Sequence, residues 1–167
     1  MKKIIIILAI IITILSLNKE EQVIIPKGAI RFRIIANSNN KKDQQLKKEI
    51  INNLSTSIIN NKTRTIDETR NYIKKELPKF TEIVDKTLKE NNNMESFHIN
   101  YGKNYFPKKE YKKIIYPEGK YESLVITIGK GKGDNFWCVL FPPLCLVDEN
   151  NNVEYKSIVK EIIEKYF

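Results

Sequence analysis

The chain has 167 residues, of which 41% are hydrophobic and 29% charged, with a net charge of +9 at neutral pH. That length suits one domain able to bury a real core, and no internal repeat divides it. The positive excess would suit an anionic surface, but the lysines are scattered among glutamates, the pattern of a general compositional bias and not of a basic binding arm.

The chain opens with Met1-Lys2-Lys3, followed by an apolar run from Ile4 to Leu17 broken only by Thr13 and Ser16. The run falls short of the about 20 residues that span a bilayer core, and a charged start before a short apolar stretch is the signal-peptide pattern. Residues 1–22 are therefore expected to be a signal peptide or N-terminal membrane anchor, and residues 23–167 a single extracytoplasmic domain. Ser16-Leu17-Asn18 is the nearest approach to a cleavage site, so an uncleaved anchor stays open. The paired lysines favour a cytoplasmic N-terminus, which puts the rest of the chain across the membrane.

Past the polar residues Glu20 to Gln22, Ile30 to Ala36 reads as the first strand, and Asn37-Ser38-Asn39-Asn40 as a turn that can cap the next helix. Leu46, Ile50, Leu54 and Ile58, broadened by Ile51 and Ile59, give an amphipathic helix over about Lys42 to Ile59. Thr65-Ile66-Asp67-Glu68 fits a capping box that starts a second helix with Ile66, Ile73 and Leu77 on one face. Pro78 is expected to end it and to begin a third, carrying Phe80, Val84 and Leu88 to about Glu90. Phe97, Ile99 and Tyr101 alternate as a strand, and Tyr105 to Pro117 reads as a loop with an edge strand wrapping the sheet.

The stretch Tyr121 to Asp148 holds the single tryptophan and both cysteines. Leu124, Ile126 and Ile128 alternate with Ser123, Val125 and Thr127, as in a strand with one well-buried face. A second apolar run, Phe136 to Phe141, follows Gly129-Lys130-Gly131-Lys132-Gly133, so the sequence predicts an antiparallel hairpin with a mobile, lysine-tipped loop. Pro142 and Pro143 end the second strand. Tyr155, Val159, Ile162 and Tyr166 make the stripe of a last helix over Val153 to Tyr166. The order of elements indicates an α+β fold with a small mixed or antiparallel sheet and helices packed on one face.

Catalytic chemistry is not visible. His98 stands alone on a strand, no serine sits in a nucleophile elbow, and the acidic pairs Glu20-Glu21 and Asp148-Glu149 lie beside turns or linkers. Cys138 and Cys145, with one histidine elsewhere, do not make a zinc site. The glycine–lysine loop looks superficially like a phosphate-binding loop, but a strand and not a helix follows it. No enzyme, metal or cofactor is expected. In a tight turn the two cysteines would face each other and could form a disulfide, contributing about 2.5 kcal/mol on the chain-entropy model; two reduced core cysteines are the other reading. Trp137, Phe141, Pro142 and Pro143 are the candidate partner contacts, as rigid aromatic surface is what interface anchors use, although Trp137 could equally be core.

Two blocks of residues then carry a resemblance. Arg31-Phe32, Ala36-Asn37-Ser38, Asp43-Gln44 and Leu46-Lys47 form the first, and YGKNYFPKKEY, Pro117 to Leu124 and IGKGKGDNFWCVLFPPLC, with Gly129, Gly131 and Gly133, form the second. In that order they resemble the stage II sporulation protein R family, with Arg33, Lys112 and Phe136 departing from its usual residues. The resemblance implies a protein made in the forespore and exported between forespore and mother-cell membranes. There it would trigger a membrane-embedded aspartic protease that processes the pro-form of the mother-cell sigma factor, sigma-E, by contact and with no nucleic acid involved. The alternative reading is a cationic extracytoplasmic module binding wall polymer or nucleic acid through lysines interleaved with Tyr105, Phe106, Tyr111 and Tyr116.

Overall fold

In the computed structural model, which describes residues 23–59, 63–111, 114–144 and 161–167, strand β2 (Ile30–Ile35) lies inside a sheet with a neighbour on each side. The leader at residues 1–22 lies outside the described residues, as does Cys145. Strands β1 (Val23–Ile24), β3 (Phe97–Phe106), β4 (Lys109–Tyr111), β5 (Ile114–Tyr116), β6 (Gly119–Ile128) and β7 (Asn135–Phe141) accompany it, with helices α1 (Lys41–Ile59) and α2 (Ile66–Glu90). The main sheet runs β3-β6-β2-β7, with β2 parallel to β6 and antiparallel to β7; a second, three-stranded sheet runs β1-β5-β4. The fold is α+β with mixed sheets.

Period-two alternation decides which face meets the helices. Ile30, Phe32 and Ile34 of β2 and Leu124, Ile126 and Ile128 of β6 point to one side, where Leu46, Ile50 and Leu54 of α1 and Ile73, Phe80, Val84 and Leu88 of α2 cover them. Each such side chain contributes about 1.5–3 kcal/mol on burial. On the opposite side, Val139 packs with Val23, Ile25, Ala29, Ile114 and Leu144, so the small sheet covers part of the second face. The segment 105–117 is thus not a loop with one edge strand: it supplies β4 and β5 of a separate sheet.

Two further expectations are corrected. Pro78 does not divide a helix, because α2 continues through it for 25 residues. Ile73, Leu77, Phe80 and Val84 form one unbroken stripe against the core, and Pro78 itself is exposed. Interior proline costs about 3 kcal/mol, which burial of that stripe on both sides of it outweighs. The capping box is present in altered form: Thr65 Oγ1 accepts from Glu68 N (3.2 Å), while the Glu68 carboxylate accepts from Arg64 N (2.7 Å), one residue before the cap.

The second correction concerns β6 and β7, which do not pair. β2 is inserted between them, with Phe32 opposite Leu124 on one side and Cys138 on the other. A two-residue turn could not step over a strand, since next-nearest strands stand about 10 Å apart. The linker from Gly129 to Asp134 can, and it crosses at the C-terminal end of β2.

Candidate functional site

The crossing brings the two sequence blocks together. After β2 the chain turns through Asn37 to Asn40, and Asn40 caps α1 by accepting from Asp43 N (2.7 Å). The buried Asp43 carboxylate accepts from Ser38 Oγ (2.6 Å), Asn37 Nδ2 (3.1 Å) and Asn40 Nδ2 (3.1 Å), so the whole turn is organised around one acid in the first turn of α1. The glycine linker then locks onto this turn. Lys130 N donates to Asn37 Oδ1 (2.9 Å), Lys132 N to Asn37 O (3.0 Å), Gly133 N to Ala36 O (2.8 Å) and Asp134 N to Asn39 Oδ1 (2.6 Å). Gln44 Nε2 donates to Ser38 O (2.8 Å), and Lys47 Nζ bridges Gln44 Oε1 (2.7 Å) and Asp134 O (2.8 Å). Burial pushes the Lys47 ammonium below its ordinary pKa.

The linker is therefore pinned, and its glycines are a steric requirement. A Cβ on Gly133 would lie 2.3 Å from Ser38 O, and one on Gly129, whose φ is +53°, would lie 2.4 Å from Asn37 Oδ1. Ala36, Asn37, Ser38, Asp43, Gln44, Gly129 and Gly133 thus form one joint; Gly131 (φ +60°) completes the turn beside Thr127. Sequence reasoning grouped these residues by resemblance alone. Lys47 stood in the same block, but nothing local in the sequence showed that its ammonium reaches Gln44 and the Asp134 carbonyl.

The second face of β2 carries the other signature residue, Arg31, which is 1% exposed. Its guanidinium carbon stands 3.4 Å from the Tyr121 ring centre, 5.4 Å from Phe106 and 5.9 Å from Tyr116. Nε, Nη1 and Nη2 have no hydrogen-bond partner among the described residues, so ring quadrupoles are what face this charge. Burial lowers its pKa, with Tyr121 and Tyr116 opposing. Arg33 lies one pleat further along, 4.8 Å from Phe106 and 5.4 Å from Trp137, and burial lowers its pKa as well. Phe32, between them in sequence, faces the helices and meets Phe136 edge-on at 6.1 Å.

The candidate contacts separate. Trp137 is half-buried and lines a cleft of about 440 Å³ with Pro107, Lys108 and Lys109 from the β3–β4 connection and Gly133, Asp134 and Asn135 from the linker. Phe141, by contrast, is 5% exposed and packs edge-on against Tyr166 (5.2 Å) and Phe167 (6.2 Å), so it is core and not an interface anchor. Pro142, joined to Phe141 by a cis peptide, is buried beside it, and Pro143 is half-buried. Of the rings in the polyanion reading, Phe106 is fully buried and Tyr116 half-buried, leaving Tyr105, 57% exposed; the Tyr111 side chain lies outside the described residues. Cys138 packs half-buried against the helix-side core. His98 is exposed, opposite Thr127 in the ladder.

An ionic cluster that sequence reasoning did not find links α2 to β6. Arg70 Nε donates to both Glu122 oxygens (3.0 and 2.9 Å), Arg70 Nη1 to Asp67 Oδ1 (2.7 Å), and Tyr101 OH to Glu122 Oε1 (2.5 Å). Burial is the largest influence on Glu122 and would raise its pKa, but the hydrogen bonds from Arg70 and Tyr101 and the Arg70 charge together hold it below the ordinary value.

Comparison with known proteins extends the resemblance. Residues 26–151 match the family model described as stage II sporulation protein R. The chain is 40% identical over 143 residues to the stage II sporulation protein R of Bacillus subtilis (strain 168), an alignment covering 84% of this chain and 63% of that relative. No solved structure matches the chain. The matched region contains both blocks that meet at the β2 crossing as well as the arginine face beside them, and the chain belongs to the stage II sporulation protein R family, whose name gives it a role in sporulation.

Proposed function

We propose that the chain is an exported forespore signal that acts by protein contact. Its target would be a membrane-embedded aspartic protease of the mother cell, which the contact shifts to its active arrangement and which then processes the pro-form of sigma-E. The observation that carries this reading is the family match across residues 26–151. A contact signal needs a rigid surface and tighter binding to the active state of its target than to the resting one. The pinned linker beside the Trp137 cleft is the kind of rigid surface such a signal uses. Residues 1–22 would carry the domain across the forespore membrane, into the space between the two membranes. An oxidising destination would let Cys138 pair with Cys145; protein collected outside the cell, with thiols blocked before reduction, should show both cysteines unlabelled.

Co-expression tests the reading. The full chain, the protease and the unprocessed sigma factor, placed together in a non-sporulating host, should suffice for cleavage, and a version starting at Val23 should not trigger it. Cleavage that proceeds equally without the chain would sink the proposal. His98→Ala should leave cleavage intact, because the residue has no catalytic partner near it in sequence and the proposed mechanism needs none.

A further inference from the structure

We propose that the cleft beside Trp137 is the docking site for an extended, carboxylate-bearing segment of a partner protein, held by Lys108 and Lys109 beside the indole. This deepens the contact-signalling reading and rests on it.

The charges around the cleft are unbalanced. Lys108 and Lys109 are exposed and have no ion pair among the described residues, and the neighbouring Arg33, half-buried against the Trp137 ring, has an Nε with no hydrogen-bond partner among them. Lys109 Nζ stands 5.4 Å from the Trp137 ring centre, so two cations share one indole. The acid in the lining, Asp134, is partly engaged: its side chain accepts from Asn39 Nδ2 (3.3 Å) and its backbone carbonyl from Lys47. Against that one acid the lining sets two lysines, Lys108 and Lys109, so the cleft carries an excess of positive charge. An incoming carboxylate would relieve that excess.

Shape points to a peptide and not to a continuous polyanion. A volume of about 440 Å³ accommodates a few residues of extended chain. A phosphate polymer would need a longer cationic track, and here Asp134 and the neutral Asn135 interrupt it. The walls are firm, as the linker side is fixed to Asn37 and Asn39, and the Lys109 side pairs with Tyr116 of β5.

Trp137 is the only tryptophan in the chain, so its fluorescence reports occupancy of the cleft directly. The purified full chain is titrated with a short Glu/Asp-rich peptide, the matching Gln/Asn peptide, polyphosphate and phosphatidylglycerol vesicles. The acidic peptide should give a saturable change that its neutral counterpart does not. The double variant Lys108→Glu, Lys109→Glu should weaken that binding at least about tenfold with an unchanged thermal midpoint. No response to the acidic peptide, or an equal response in the double variant, overturns the proposal. A response only to polyphosphate or vesicles overturns it in favour of a polyanion or lipid surface. In the co-expression assay, full processing by the double variant removes the cleft but leaves contact signalling standing, whereas absence of processing by the wild-type chain removes the signalling reading and leaves the peptide titration to decide the cleft.

Discussion

The two faces of β2 differ in kind although they belong to the same six residues. Ile30, Phe32 and Ile34 meet the two helices in an apolar core, while Arg31 and Arg33 point the other way into a nest of aromatic rings. The alternation Ile-Arg-Phe-Arg would ordinarily mean a half-buried strand with its arginines in water. Here the small sheet covers the second face too, and Arg31 is as buried as its apolar neighbours. The first face is where stability is concentrated. The second holds two guanidinium groups that meet aromatic rings and have no ion pair among the described residues.

The widest separation between the faces should come from Phe141→Ala. It empties the helix-side core between Phe141, Tyr166 and Phe167 and should cost about 3–5 kcal/mol in urea denaturation. A loss of stability within experimental error would mean that Phe141 is a surface anchor after all. Gly133→Ala comes next, at about 1–3 kcal/mol, because the added methyl would press on Ser38 O and the Ala36 methyl at the joint between the faces.

Acid sensitivity sharpens the comparison further. The folded-state pKa of Glu122 is depressed, so its contribution to stability is present above its unfolded value near 4.5 and is lost as pH falls through the lower folded value. Glu122→Gln should therefore reduce stability at neutral pH and flatten the loss below about pH 4.5, read as thermal midpoint against pH. An unchanged acid limb would show that the Arg70 and Tyr101 bonds do not hold the carboxylate in solution.

The smallest effect is expected at Arg31. Replacing a buried charge that has no hydrogen-bond partner among the described residues by an apolar chain of similar length, Arg31→Met, should leave stability within about 1 kcal/mol or raise it. A loss of about 3 kcal/mol or more would show that the guanidinium has an anionic partner in the native protein.

How much of this was legible beforehand depended on the range of the interaction. Local patterns gave the strand at Ile30, the helix of Leu46, Ile50 and Leu54, the Thr65 cap and the inward residues of β6, because period and capping are properties of neighbours in sequence. The hairpin between β6 and β7 was misread because strand order is set by long-range pairing, and nothing within Gly129 to Asp134 announces that β2 lies beneath it. Pro78 misled for a related reason: its local cost is real, but the stripe it interrupts continues. At the site, the residues of the joint were recognisable one by one, yet the Asn37–Lys130 and Asn39–Asp134 bonds tie positions more than ninety apart. Phe141 was placed on the surface by its prolines, whereas its ring partners come from the far end of the chain.

The central proposal is that the helix face of β2 serves the fold and the Trp137 cleft beside its other face serves a partner. Its most direct test compares processing of the pro-sigma factor with thermal midpoint for the double variant Lys108→Glu, Lys109→Glu, at matched amounts of exported protein. Processing should drop several-fold while the midpoint stays at the wild-type value. Processing at the wild-type level, or a fall in processing that merely follows a fall in midpoint, would contradict it.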